Sequence, residues 1–173
     1  MSLINDRLKQ LNIVLPPAPA PAANYVPYVK SNKLIFVSGQ IPMLNGELVT
    51  GKVGKNIEIE DAKTAARLCG LAIVSQLNEA TDLDLDKIKR IVKLGGFVNC
   101  IDEFTQQPEI INGASDLMVE VFGDKGKHSR FAVGTNSFIS FGKSCKKPLP
   151  VSSLAASFCP YTRIVAVLLG SLP

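Results

Sequence analysis

His128 is the only histidine among the 173 residues, and it ends a Lys-Gly-Lys-His run. Histidine exchanges protons near neutral pH more readily than other side chains, which makes His128 a candidate general base. A lone histidine in a basic loop is more often a solvated residue without a catalytic role. A single histidine also excludes histidine-rich metal sites and leaves little room for a Ser-His-Asp triad.

Four cysteines could also do chemistry, and their spacing argues against it. They stand at positions 69, 100, 145 and 159, and the closest two are 14 positions apart. Zinc and redox sites need close pairs, such as two cysteines separated by two residues. Cys69 and Cys100 lie inside apolar segments, where cysteine acts as a small buried hydrophobe. We therefore predict no metal and no cofactor.

The net charge of +4 is unevenly distributed along the chain. Residues 1–124 contain all 15 Asp and Glu but 12 Lys and Arg, so this part carries −3. The last 49 residues contain seven Lys and Arg and no acid, so they carry +7. A basic face can attract polyanions, but seven charges spread over 49 residues do not define a groove. This charge distribution disfavours nucleic acid as a partner.

No apolar run reaches the roughly 18 residues of a membrane-spanning helix, so no membrane is expected as a partner. The first nine residues include Asp6, Arg7 and Lys9 and have no hydrophobic segment behind them, unlike a secretory signal. We predict a cytoplasmic protein.

The elements that would position functional groups begin with a short helix. Ser2 can cap it, and leucines and isoleucines at helical spacing follow. Prolines at 16, 17, 19 and 21 impose an extended connector. The β-branched run at 34–37 predicts a buried strand, and Asn45-Gly46 predicts a hairpin turn that returns 47–53 beside it.

Two longer helices alternate with strands in the rest of the chain. Apolar residues recur at helical spacing over 59–77, a strand is predicted over 88–98, and Pro108 can open a second long helix. Gly123 and Gly126 end that helix, and a strand follows at 130–135. This order predicts an α+β fold, a mixed sheet with two long helices on one face.

Five stretches in register resemble the Rid (YjgF) superfamily over residues 12–137. They are 24–29 (Asn-Tyr-Val-Pro-Tyr-Val), 34–42 (Leu-Ile-Phe-Val-Ser-Gly-Gln-Ile-Pro), 97–99 (Phe-Val-Asn), 111–116 (Ile-Asn-Gly-Ala-Ser-Asp) and 128–134 (His-Ser-Arg-Phe-Ala-Val-Gly). The resemblance implies a chorismate-mutase-like mixed β-sheet, a homotrimer, and a small-molecule carboxylate site at each interface between subunits.

The resemblance also implies roles for particular residues. Arg130 falls on the catalytic arginine that grips the substrate carboxylate, and a guanidinium matches a carboxylate with two parallel hydrogen bonds. Asn112 matches a pocket asparagine, although an asparagine just inside a helix can simply bond its own backbone. Backbone groups near Phe131 and Gly39 would polarise the reacting C=N bond.

Two further implied positions lie near the N-terminus. Tyr25 would contact the apolar part of a ligand. A tyrosine that is simply half-buried in the connector explains this position equally well. Ser38 and Gly39 would line the site with a hydroxyl and a closely approaching backbone. A structural turn before Pro42 explains Gly39 equally well.

The chain departs from the family pattern after residue 136. The glutamate that positions the attacking water in imine-hydrolysing relatives has no counterpart, because no acid follows Asp124. Ala132 stands where the family often has cysteine. Residues 163–169 can replace the family's closing strand, with 137–162 as an insertion, or the whole end can be divergent. We predict a Rid-like domain over 1–136 and a divergent C-terminal segment over 137–173.

Three functions remain open at this stage. The first is hydrolysis of reactive 2-imino and enamine acids, released by pyridoxal-phosphate enzymes, to 2-keto acids. The second is a non-enzymatic, ligand-binding or regulatory trimer. The third is an endoribonuclease, which a body charge of −3 and a single histidine disfavour. Since the glutamate is missing, binding is better supported than catalysis.

Overall fold

The computed structural model describes residues 2–20, 24–136 and 163–170. Its elements in chain order are α1 Leu3–Gln10, β1 Tyr28–Ser31, β2 Leu34–Gln40, β3 Met43–Leu44, β4 Glu47–Leu48, α2 Ile59–Ala80, β5 Ile88–Asn99, α3 Gln107–Phe122, β6 Ser129–Thr135 and β7 Arg163–Gly170. Short 3-10 turns stand before β5 (Leu85–Lys87) and after α3 (Gly123–Gly126). The predicted mixture of helices and strands is confirmed.

Five strands form one mixed sheet in the order β1-β2-β7-β5-β6. Only β5 and β6 run parallel, and the chain between them contains α3. The other neighbours are antiparallel. Strand β6 is therefore an edge strand, and β7 lies in the centre.

The two faces of the sheet differ in what covers them. Side chains such as Ile35, Val37, Leu94 and Val98 are buried under the helices and form the core. The alternate positions point the other way, as expected from the two-residue period of a strand. They form an apolar surface that we call the open face: Val29, Phe36, Phe97, Phe131 and Val133. Four of these side chains are exposed, between 37% and 51%, and Phe97 is half-buried.

Helices α2 and α3 pack against each other at unusually close range. A Cβ on Gly113 of α3 would lie 2.0 Å from the Lys63 carbonyl oxygen of α2. A Cβ on Gly70 of α2 would lie 2.9 Å from the Leu117 side chain of α3. Glycine at these positions lets the two backbones approach, which fixes α3 over β5 and β6.

The interior cysteines behave as predicted. Cys69 and Cys100 are buried and free of disulfides. Complete burial raises the pKa of the Cys69 thiol above its ordinary value and keeps it protonated. These cysteines act as small core residues.

The hairpin prediction was right about the turn and wrong about its partner. Asn45 and Gly46 have φ of 53° and 83°, as a two-residue hairpin turn requires. The returning strand is only Glu47–Leu48, and it pairs with Met43–Leu44 in a separate two-stranded sheet. Strand β2 pairs instead with β1, through a tight hairpin in which Ser31 pairs with Leu34, and with the distant strand β7, so that both of its edges are occupied.

The C-terminal strand fills the position left open in the sequence. Residues Arg163–Gly170 form β7, which pairs with β2 on one side and β5 on the other. Residues 137–162 lie outside the described residues, and the boundary at 136 stays a prediction. In the parts of the chain that the structure describes, no helix is long and apolar enough to span a membrane.

Helix α1 is held in place by an aspartate from a distant part of the chain. The Asp86 carboxylate accepts hydrogen bonds from the Leu3 and Ile4 amides at 2.8 and 3.0 Å. Desolvation raises the pKa of this carboxyl, but the hydrogen bonds from Ile4, Leu3 and Ser2 and the charge of Lys125 outweigh it. The pKa of Asp86 therefore lies below its ordinary value.

A depressed pKa makes the contribution of Asp86 to stability depend on pH. The contribution is complete above the unfolded-state pKa of about 3.9 and is lost as pH falls through the lower folded-state value. We expect Asp86→Ala to lower the free energy of unfolding by about 1 kcal/mol at pH 7, as loss of a helix cap does. Urea denaturation at pH 7 and below pH 3 measures this. A deficit that is equally large at both values would contradict the assignment.

Candidate functional site

Arg130 is anchored to helix α3 through one nitrogen of its guanidinium. Its Nη1 donates to Asn112 Oδ1 at 2.7 Å and to Ser115 Oγ at 3.1 Å. Arg130 stands on β6 opposite Leu94, and so on the helix-covered face at the sheet edge. Among the described residues, Nη1 is the only nitrogen of this guanidinium that makes a hydrogen bond, which leaves its Nε–Nη2 edge open to a ligand. The predicted pair Arg130 and Asn112 is thus in direct contact.

The hydrogen bonds continue from Ser115 to His128. Ser115 Oγ and His128 Nε2 are 3.1 Å apart, and His128 Nδ1 is 2.6 Å from the Gly126 carbonyl oxygen. A carbonyl only accepts, so Nδ1 carries a proton. In the neutral imidazole, Nε2 then accepts from the Ser115 hydroxyl. We call Asn112, Ser115, His128 and Arg130 the arginine cluster.

The arginine cluster lies at the surface, and rigid elements hold it. Arg130 is exposed, while Asn112, Ser115 and His128 are half-buried. Asn112 and Ser115 are three residues apart on α3 and so share one helix face. Both side chains can therefore meet the same guanidinium.

Phe131 lies on the opposite face of the sheet from Arg130, as expected for the next residue of a strand. Its ring covers Gly95, where a Cβ would approach ring atoms to 2.3 Å. It packs edge-on against Phe97 with ring centroids 5.5 Å apart, and Lys93 Nζ lies 5.5 Å from its ring centre. The Phe131 side chain thus belongs to the open face.

The other predicted residues gather at a bulge in β2. The pairing register between β2 and β7 shifts between Val37 and Gln40, which places Ser38 and Gly39 in the irregularity. Ser38 Oγ donates to the Val26 carbonyl at 2.7 Å and ties down the segment that follows Tyr25. We call Tyr25, Ser38 and Gly39 the bulge cluster.

Within one chain, the two clusters do not meet. Arg130 pairs with Leu94, Leu94 with Ala166, and Ala166 with Val37, the residue before Ser38. The two clusters therefore lie at the same position along the strand direction. Across the sheet, three inter-strand spacings separate them, or roughly 14 Å. A small ligand cannot touch both in a single chain.

Ser115 is the member of the arginine cluster that the sequence did not single out. It lay inside the matched stretch 111–116, and its position three residues after Asn112 on a predicted helix was the available signal. In the described parts of the chain, no three His, Cys, Asp or Glu side chains group as metal ligands. The chemistry at hand is that of a guanidinium, a hydroxyl and an imidazole.

Comparison with known proteins connects the chain to one family. A family model described as "YjgF/chorismate mutase-like, putative endoribonuclease" matches residues 5–149. Protein TCP17 of Trypanosoma cruzi is 48% identical over 129 residues, which cover 73% of this chain and 80% of that protein.

Two solved structures are similar over almost their whole length. One is a protein of unknown function from Agrobacterium tumefaciens, 39% identical, with a TM-score of 0.79 over 96% of this chain and 92% of that one. The other is a "putative endoribonuclease" from Shewanella oneidensis, 29% identical, with a TM-score of 0.78 over 96% and 98%.

Proposed function

Because the chain belongs to the YjgF/chorismate-mutase-like family, we propose that it binds a small 2-keto or 2-imino acid through Arg130. We further propose that it hydrolyses reactive 2-imino and enamine acids to 2-keto acids. The observation that carries the proposal is the anchored guanidinium. Asn112 and Ser115 hold Nη1, and the Nε–Nη2 edge offers two parallel N–H groups at the spacing of a carboxylate.

An exposed arginine alone is a weak carboxylate site, because water screens the charge and competes for the hydrogen bonds. A site that binds well needs walls that exclude water. The bulge cluster can supply a wall, but only from another copy, since it lies roughly 14 Å away within the same chain. We therefore propose a site that combines the arginine cluster of one copy with the bulge cluster of its neighbour.

The open face supports an assembly of this kind. The side chains on this face that are exposed to solvent are apolar: Val29, Phe36, Phe131 and Val133. Apolar surfaces of this kind are typical of contacts between proteins. We propose a homotrimer in which the open faces meet and bring neighbouring edges together.

The chemistry of hydrolysis requires more than a carboxylate grip. Water must attack the C=N carbon, so a group must orient the water and accept its proton. The family glutamate that does this is missing, since no acid follows Asp124. Carboxylate binding is therefore the better supported half of the proposal, and a non-enzymatic binding trimer is its nearest alternative.

RNA cleavage is a second candidate. The matched family and the similar protein from Shewanella oneidensis are both described with the words "putative endoribonuclease". The arginine cluster contains a hydroxyl and an imidazole that could serve such a reaction. Cleavage of single-stranded RNA that falls steeply with added salt would favour this candidate.

We expect Arg130→Lys to weaken binding of 2-oxobutanoate or benzoate about tenfold or more, because lysine keeps the charge but loses the paired hydrogen bonds. Titration calorimetry measures the affinity. Arg90→Lys, an exposed arginine on β5, is the matched control and should bind normally. Equal affinity in wild type and Arg130→Lys would remove Arg130 as the carboxylate grip.

We expect weak deaminase activity, well below that of glutamate-bearing relatives, since a positioned acid or base contributes about 10²–10⁴-fold to a rate. An amino-acid oxidase would generate 2-iminopropanoate in situ, and semicarbazide would trap the imine that remains. Acceleration equal to that of a glutamate-bearing relative would refute the argument from the missing acid. If the protein binds the ligand normally but does not accelerate imine hydrolysis, the non-enzymatic binding trimer is the function that remains.

A further inference from the structure

The Ser115–His128 pair has the arrangement of a nucleophile and its base. Ser115 Oγ is 3.1 Å from His128 Nε2, and the 2.6 Å contact with the Gly126 carbonyl fixes the proton on Nδ1. In covalent hydrolases a hydroxyl is activated by a base within hydrogen-bond reach, and a third group orients that base. A backbone carbonyl stands here where many such enzymes have aspartate.

Arg130 adds the third component of such a site. Its Nη1 lies 3.1 Å from Ser115 Oγ. A positive donor beside the nucleophile stabilises the alkoxide and the oxyanion that forms when the hydroxyl adds to a carbonyl. Ser115 and His128 are half-buried and Arg130 is exposed, so a substrate can reach the hydroxyl.

We propose that Ser115 is a nucleophile activated by His128, and that the chain hydrolyses small carboxylic esters or thioesters through an acyl-serine. This proposal does not depend on imine hydrolysis or on a ligand at the Nε–Nη2 edge of Arg130.

The reaction balances without an added reagent. Ser115 Oγ bonds to the carbonyl carbon, its proton passes to His128 Nε2, and the C=O pair moves onto the oxygen beside Arg130. That oxygen's electron pair then re-forms the C=O bond as the C–O or C–S bond breaks, and the leaving group takes the proton from Nε2. Water attacks the acyl-serine in the same way, which releases the acid and returns the proton to Ser115. The net reaction is ester plus water to acid plus alcohol, or thioester plus water to acid plus thiol.

A fluorophosphonate probe tests the nucleophile directly in the full chain. We expect one adduct per chain by intact mass, located on Ser115 by peptide mapping, and no adduct at that position in Ser115→Ala. With p-nitrophenyl acetate, wild type should release a burst of p-nitrophenol that Ser115→Ala lacks. Ser129→Ala is the matched control, because Ser129 Oγ donates to the Val92 carbonyl and makes no other hydrogen bond with the described residues. It should label like wild type.

To test His128 as the base, the measurement must respond to the loss of a proton acceptor and not to a change in packing. We expect His128→Ala to label about 100-fold more slowly, as loss of a positioned base does, and added imidazole to restore part of the rate. Circular dichroism would verify that each variant is folded. Absence of a Ser115 adduct in wild type would overturn the proposal. So would labelling that is equally fast in His128→Ala, since Ser115 would then be an ordinary accessible hydroxyl.

Discussion

In the part of the chain that the structure describes, helices cover only one face of the sheet, and the other features of the molecule depend on that constraint. Helices α2 and α3 bury the alternate side chains of β2 and β5, and the close contact at Gly113 sets their distance from each other. The opposite face presents valine and phenylalanine to the surroundings. The described part of a single chain therefore buries a core but leaves exposed apolar side chains on the opposite face, which a second sheet can cover.

The same architecture divides the functional groups. Edge strand β6 and helix α3 hold Arg130 against Asn112 and Ser115, whereas the bulge in β2 holds Ser38 and Gly39 on the far side of β7 and β5. Asn112 and Ser115 already hold Arg130, and Ser38 Oγ already donates to the Val26 carbonyl, so both clusters are preorganised. What a single chain lacks is the enclosure that strengthens a charge-assisted hydrogen bond by removing water. The proposed assembly supplies it by joining the edges of two copies.

Much of this could be predicted from the sequence, and the exceptions have physical causes. Helical periodicity located α2 and α3, and the matched stretches assigned Arg130 and Asn112 to the same predicted site. The strand predicted to pair with residues 47–53 was wrong. A turn signal is local, whereas strand pairing depends also on distant strands such as β7. Ser115 was overlooked, because its position three residues after Asn112 indicates only a shared helix face until the strand that carries Arg130 is known to pack against that face. The central position of β7 could not be decided, because 163–169 follows a long stretch without recognisable pattern.

The central claim, a carboxylate site divided between two copies, is tested most directly by subunit complementation. One chain would carry Arg130→Ala and the other Tyr25→Ala with Ser38→Ala, and 2-oxobutanoate binding would be measured for each alone and for the two coexpressed. We predict that neither assembly binds alone, and that the mixed assembly recovers binding at part of its sites, where an intact arginine cluster meets an intact bulge cluster. Mixed assemblies that bind no better than either variant alone would contradict the divided site.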